Sequence, residues 1–328
     1  MDVLIQNSIP MSAAMQGLED WLIPIMEFFS FLGSEQFFLL VMPALYWCVD
    51  AGLGLRVGFI LLLSSSLNNV FKLAFHSPRP FWVSTHVKAF APETSFGMPS
   101  NHAQIAVGVW GTLAARPGRT WAWIAAAAVI ALIGFSRVVL GVHFPQDVLA
   151  GWFIGGILLW AFQKFWRPVS ARVAQMTFGA QVTLALVVSL TLILLGALTN
   201  LAWGGWVMPQ EWIVNATANG GAVPDPLALS GLVSSAGALF GLAFGVSWMA
   251  ARGGYSASGP GMKRTLRYVV GVVGVLVFWY GLGAIFPRGE ALLPYALRFI
   301  RYALVGAWIA AGAPRLFEKL QLTDKANL

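Results

Sequence analysis

Apolar runs of about twenty residues recur along almost the whole chain, and a run of that length crosses a hydrocarbon core ~30 Å thick. The spacing predicts spans at 16–33, 35–50, 53–75, 102–116, 120–141, 144–166, 178–199, 227–250, 266–286 and 293–313. A chain of 328 residues has no soluble interior large enough to bury so many such helices. Charged residues make up only 10% of the chain, whereas soluble domains carry about 25%. The expected fold class is therefore all-α, a polytopic integral membrane protein. The run 16–33 is the weakest: it contains Glu19, Asp20, Pro24 and Glu27 and also suits a helix lying in the interface. The segment MDVLIQNSIPMSAAMQGLEDW lacks a basic n-region and an early apolar core, so a cleaved signal peptide is not expected. Cys48 is the single cysteine, which allows no internal disulfide.

The basic residues assign the sides. Arg56, then Arg116 with Arg119, then Lys164, Arg167 and Arg172, then Arg252, Lys263 and Arg264, and finally Arg315, Lys319 and Lys325 all fall on one side if the helices alternate. That side is cytoplasmic by the positive-inside rule. The long loop 200–226 falls on the other side and contains no lysine or arginine. A multi-pass protein of the cell (inner) membrane is the expectation. Two outer loops break the charge pattern. One, 75–101, holds Arg79 and Lys88, with Lys72 at its entrance. The other is SRVVLGVHFPQD, Ser136 to Asp147, with Arg137.

Outer cations therefore call for a reason other than topology. Three polar islands, KLAFHSPRP (Lys72 to Pro80), PSNH (Pro99 to His102) and SRVVLGVHFPQD, bring Lys72, Arg79 and Arg137 to the ends of adjacent helices. Three cations at one membrane face repel one another unless an anion sits between them. Guanidinium forks match the tetrahedral oxygens of a phosphate through paired charge-assisted hydrogen bonds. The helix that follows PSNH adds first-turn N–H groups and the positive end of its dipole. Pro99 presets the chain before that helix and Ser100 suits its N-cap. His143 and Asp147 lie four apart, on one helical face if the sixth helix starts near His143. A carboxylate on one ring nitrogen frees the other as a nucleophile. His102 is then left to protonate the leaving oxygen of a phosphoester. The two histidines and one carboxylate do not have metal-ligand spacing, so neither a metal nor another cofactor is expected.

These three motifs, in this order, resemble the type-2 phosphatidic acid phosphatase superfamily. KLAFHSPRP fits its K-x6-RP, PSNH stands where the family usually has PSGH, and SRVVLGVHFPQD fits its SR-x5-H-x3-D. RPFWV, Arg79 to Val83, is similar to the matching segment of glucose-6-phosphatase-like members. The resemblance implies a six-helix phosphatase core over 1–170. It leaves 171–328 as a C-terminal region of about four further transmembrane helices. It implies His143 as the nucleophile that forms a phosphohistidine, Asp147 as its orienting partner and His102 as the general acid. Lys72, Arg79 and Arg137 would hold the phosphate, with Ser100, Asn101 and Ser136 assisting. Asn101 departs from the family's glycine; its side chain is tolerated if the residue takes helical dihedrals, and it adds a donor near the substrate. The expected activity is hydrolysis of a lipid phosphate or diphosphate in the bilayer at the extracytoplasmic face, with undecaprenyl diphosphate, phosphatidate and phosphatidylglycerol phosphate as reasonable classes. A soluble ester such as a sugar phosphate is the alternative. A non-catalytic lipid-binding or transport protein is a third reading, which the intact His102, His143 and Asp147 disfavour.

The remaining polar residues read more plainly. His76, His86 and Glu93 lie outside the motifs and are expected to be ordinary loop residues, with contacts to the substrate as the alternative. Asn68 and Asn69 suit interhelical hydrogen bonds. Gly237, Gly241 and Gly245 form a small-residue row for close packing within the chain or in a homo-oligomer. Arg298 and Arg301 read as interfacial anchors, or as contacts to an anionic lipid head group or the phosphatase core. Trp203, Trp206 and Trp212 suit an aromatic belt or a cap over the outer face. Asn215 to Thr217 matches a glycosylation sequon by pattern. Membrane lipids are expected partners; nucleic acid is not.

Overall fold

The computed structural model describes residues 2–17 and 21–323. Glu19, Asp20 and Lys325 lie outside the described residues. The regular structure of the described residues is helical, with no strand: α1 (Asp2–Gln16), α2 (Leu22–Phe31), α3 (Glu35–Ala44), α4 (Ala51–Phe75), α5 (Pro80–Val83), α6 (Asn101–Ala115), α7 (Thr120–Val139), α8 (Pro145–Ala174), α9 (Phe178–Ala202), α10 (Gln210–Ala218), α11 (Ser230–Ala250), α12 (Gly261–Leu276), α13 (Leu282–Ile285), α14 (Leu292–Ala307) and α15 (Ala313–Lys319). Wider π-helical turns continue α3 over Leu45–Val49, join α12 to α13 over Val277–Gly281 and join α14 to α15 over Trp308–Gly312.

Seven helices among the described residues are long and apolar enough to cross a membrane: Ala51–Val83, Thr120–Val139, Pro145–Ala174, Phe178–Ala202, Ser230–Ala250, Gly261–Ile285 and Leu292–Lys319. The protein is thus all-α and multi-pass, but the count departs from the ten spans expected. Ten residues of α2 rise about 15 Å, half of what a crossing needs. Leu22–Phe31 and Glu35–Val49 qualify only as a pair, bent by 50° at the break between them. They make one broken span or a re-entrant hairpin where two spans were expected. The fourth expected span is α6, whose 15 residues rise about 22 Å and fall short of the full thickness.

The chain divides into two compact units by a rule the sequence does not show. One comprises Met1–Phe37, Leu67–Trp160 and Gly196–Ala228; the other comprises Phe38–Ser66, Ala161–Leu195 and Leu229–Leu328. Residues 196–228 belong with the three polar islands, and 38–66 belong with the C-terminal helices.

In the first unit, glycine lets α8 come close to the start of α6. A Cβ on Gly151 would lie 2.7 Å from the Ser100 carbonyl, and one on Gly155 would lie 2.7 Å from that of Gln104. Asn68, fully buried on α4, donates to the Pro99 carbonyl at 3.2 Å and to Gln104 Oε1 at 2.8 Å. It makes the interhelical bonds expected of it and fixes the segment that leads into α6. Apolar packing under the site comes from Met26, Phe81, Trp82, Phe96, Val139, Leu140 and Val142.

The second unit uses the small-residue row. A Cβ on Gly241 would lie 1.9 Å from the Ala303 carbonyl, one on Gly237 2.6 Å from that of Phe299, and one on Gly245 2.7 Å from Ala310 Cβ. The row is filled by α14 and the π-helical turn that follows it in the same chain, so of the two expected uses of Gly237, Gly241 and Gly245 the fold shows packing within the chain. The unit also buries Arg267 completely. Its guanidinium donates to the carbonyls of Trp47, Ala257, Ser258 and Leu322, so every direction of the fork meets a backbone acceptor.

Candidate active site

The end of α4, the start of α6, the end of α7 and the start of α8 carry the three motifs, and all four ends meet in the first unit. His143 precedes α8, which begins at Pro145. Its pairing with Asp147 is therefore not the side-by-side arrangement of two residues on one helical turn. Asp147 instead reaches back across the helix start. Its Oδ2 accepts the Phe144 N–H at 2.9 Å and lies 3.3 Å from His143 Nδ1. This is the acidic reach-back of a capping box, with histidine recruited to the same oxygen. Capping and orienting are thus one interaction.

The tautomer follows from the neighbours. Arg79 Nη1 lies 3.3 Å from His143 Nε2. Arginine can only donate, so Nε2 presents its lone pair and the ring proton sits on Nδ1, facing Asp147. Burial, then the charges of Arg79, Lys72 and Arg137, hold the His143 imidazole well below its ordinary pKa. At neutral pH it is uncharged, with an unprotonated lone pair at Nε2.

The three expected phosphate-binding cations converge; backbone carbonyls hold Lys72 and Arg79, and side chains hold Arg137. Lys72 donates to Ser95 Oγ at 2.9 Å and to the Phe96 carbonyl at 2.8 Å. Arg79 donates Nε–H to the Ser95 carbonyl at 2.6 Å and Nη1–H to the Val142 carbonyl at 2.8 Å. Arg137 donates to Ser30 Oγ. Lys72, Arg79 and Arg137 are all buried. Among the described residues no group of three or more His, Cys, Asp or Glu is placed to hold a metal.

Glu93 corrects the sequence reading. It was expected to be an ordinary loop residue, yet its carboxylate lies between the two arginines. One oxygen accepts from Arg79 at 2.9 Å and the other from Arg137. Burial alone would raise its pKa, but Arg79, Arg137 and Lys72 together hold it well below the usual carboxylate range. Ser95 and Ser30 were missed as well. Ser95 belongs to no motif, and Ser30 lies on α2, distant in sequence. The only signal for Glu93 was a carboxylate in a loop already rich in cations.

The supporting residues divide. Ser100 occupies the N-cap position of α6, but its hydroxyl makes no capping bond; Oγ is buried without a partner among the described residues, and its N–H donates to the Asp147 carbonyl at 2.9 Å. Asn101 begins α6 in helical conformation, as its replacement of glycine requires, and its Nδ2 reaches Glu35 Oε1 at 3.4 Å. Ser136 is buried, and its hydroxyl donates to the Ile133 carbonyl at 2.7 Å within α7. His102 sits in the first turn of α6, within the fields of Arg137 and Glu93. The first-turn N–H groups beside it have no intrahelical acceptor.

The aromatic segment 200–226 is a cap in this unit. Trp203 and Trp206 pack on His76 at 4.2 and 5.4 Å between ring centroids, and Trp206 also meets Phe96 at 5.6 Å. Asn219 donates to the Phe81 and Ser84 carbonyls, and Asn215 to that of Trp82 at 3.0 Å. The amide of the sequon is thus engaged in the fold. His76, expected in an ordinary loop, is buried under this cap with φ 49°.

Known proteins share these features. The family model described as "PAP2 superfamily" matches residues 53–170, and that described as "PAP2 superfamily phosphatase, transmembrane extension" matches 233–325. The chain is 28% identical over 246 residues to glucose-6-phosphatase 3 of Bos taurus, covering 65% of this chain and 70% of that protein. It is 26% identical over 345 residues to glucose-6-phosphatase 3 of Mus musculus, covering 94% and 91%. It is 28% identical over 163 residues to phosphatidylglycerophosphatase B of Bacillus subtilis, covering 45% and 76%. The two family models together span well over half of the chain, and the first contains every motif residue at the site; the chain belongs to the PAP2 superfamily and is a metal-independent membrane phosphatase of that type.

Proposed function

We propose that the protein removes phosphate from a lipid phosphate or diphosphate at the extracytoplasmic membrane face, through a phosphohistidine on His143. The observation that carries this reading is the His143–Asp147 pair, with Nε2 turned toward the same guanidinium that grips an anion. His143 Nε2 attacks phosphorus and the bond to the ester oxygen breaks. The negative charge of the bound phosphate favours a proton on His102, which passes it to that oxygen, and the cationic ring gains support from Asp147. Water then attacks the phosphohistidine, His102 takes up the proton, and inorganic phosphate leaves. Glu93 holds the seat between Arg79 and Arg137 until the phosphate displaces it.

A lipid suits a site at helix ends beside the bilayer, and the similarity to phosphatidylglycerophosphatase B supports that class. A soluble sugar phosphate is the second reading. It is favoured by similarity to glucose-6-phosphatase 3 that runs over 94% of the chain, C-terminal helices included. Phosphate release by the purified protein from phosphatidylglycerol phosphate, phosphatidate, undecaprenyl diphosphate and glucose 6-phosphate separates them. The account expects kcat/KM for at least one lipid to exceed that for the sugar by tenfold or more; a preference for the sugar ester would replace the lipid reading.

A further inference from the structure

A second cluster of arginines lies in the C-terminal unit, away in sequence from every phosphatase motif. Arg288, Arg298 and Arg301 line one cavity of ≈ 250 Å³ together with Gly283, Phe286, Pro287, Gly289 and Pro294. Arg298 and Arg301 are one turn apart in the middle of α14, and Arg288 comes from the preceding loop. The guanidinium of Arg301 lies so close over Gly283 that a Cβ there would be 2.5 Å from its Nη1. It also sits 4.9 Å from the centre of the Tyr302 ring. Its Nε is buried and finds no acceptor among the described residues. Arg298 donates one N–H to Ser234 Oγ at 3.2 Å, which orients it and leaves the rest of its fork. Glu290 adds a carboxylate to the same loop, so the segment retains an excess of positive charge.

Three guanidinium groups held around one small cavity repel one another, and bare snorkelling anchors would instead spread toward water. Paired N–H donors in this number match the oxygens of a phosphate. The surroundings indicate where that phosphate comes from. Ile285, Leu292 and Leu293 bracket the pocket in sequence and are 77%, 86% and 63% exposed. A free ion would leave these side chains bare, whereas acyl chains would cover them.

We propose that Arg288, Arg298 and Arg301 form a second phosphate-type oxyanion site, filled by the phosphate of an anionic membrane phospholipid and separate from the catalytic centre. This does not rest on the phosphatase reading. The test is native mass spectrometry of the full chain released from mixed phosphatidylcholine and phosphatidylglycerol nanodiscs. Parallel samples contain phosphatidylcholine alone with inorganic phosphate. Phosphatidylglycerol adducts should exceed phosphatidylcholine adducts by about tenfold, the factor that one charge-assisted hydrogen bond supplies. The excess should fall to near parity in Arg298→Gln/Arg301→Gln. The exposed Arg288→Gln, which disturbs no packing, should lower it by several-fold and controls for misfolding of the double variant. Phosphate adducts that vanish in the same variants, without lipid preference, would overturn the lipid source. A lipid preference that survives all three substitutions, or none in the wild type, would overturn the site.

Discussion

Glu93→Gln offers a sharp test of how the phosphate seat works. The amide keeps the shape of the side chain and removes its charge. In the native site that charge sits between the side chains of Arg79 and Arg137, which are 0% and 2% exposed, while Glu93 itself is 18% exposed. Removing one partner of a buried pair costs roughly 3–5 kcal/mol. The partial exposure of Glu93, and the acceptor that glutamine retains, put this case at the lower end, about 3 kcal/mol. If the incoming phosphate replaces the carboxylate, the variant recovers on binding what the native protein loses by expelling Glu93. A gain of ~2–3 kcal/mol corresponds to roughly thirty- to a hundred-and-fiftyfold tighter binding of inorganic phosphate. The variant should therefore unfold at lower temperature without phosphate and be rescued by it more than the native protein. Product inhibition by phosphate should strengthen by the same factor. Thermal unfolding in detergent against a phosphate titration, with the inhibition constant measured in parallel, reads both. An inhibition constant that is unchanged or weaker would show that Glu93 supports the bound phosphate rather than competing with it.

Ser100→Ala should lower kcat/KM by about tenfold, since a hydrogen bond to a charged group contributes roughly 1.5–3 kcal/mol. Ser136→Ala should change it less than about threefold, because that hydroxyl already bonds the Ile133 carbonyl; steady-state kinetics on both variants decides. Gly241→Val should destabilise by ~3 kcal/mol or more, because its Cβ meets the Ala303 carbonyl rather than a side chain that can move, read as a fall in unfolding temperature. The depressed pKa of Glu93 gives stability that is fully present above the unfolded carboxylate pKa and is lost as pH falls through the folded value. Unfolding temperature should therefore drop below about pH 4.5, and the drop should be smaller in Glu93→Gln. For sidedness, single cysteines at the exposed positions Thr85 and Pro117, in a Cys48→Ser background, should differ in intact cells. An impermeant thiol reagent should label position 85 and spare position 117; the reverse would place the site in the cytoplasm.

Much of the catalytic centre was legible because its residues lie in polar islands at the ends of apolar runs, where chemistry stands out against hydrocarbon. Lys72, Arg79, His143 and Asp147 needed only order and spacing. Glu93 and Ser95 were not legible: they lie in an aperiodic loop whose path is set by Arg79 and Lys72 gripping its carbonyls. For Ser136, motif membership does not say which way a hydroxyl points, and a serine in a helix readily bonds back to a carbonyl one turn earlier. Long spans such as α7 and α9 followed from hydropathy alone. The α2–α3 pair did not, since hydropathy cannot distinguish two crossings from one broken crossing. The glycine row revealed a close contact, but only the fold shows that α14 fills it.

Rapid quench with substrate labelled at the transferred phosphate tests the central claim most directly. The protein should carry an acid-labile, base-stable label that maps to His143, and His143→Ala should fold, bind phosphate and carry none. Label on a serine or an aspartate, or turnover that survives in His143→Ala, would contradict the phosphohistidine mechanism.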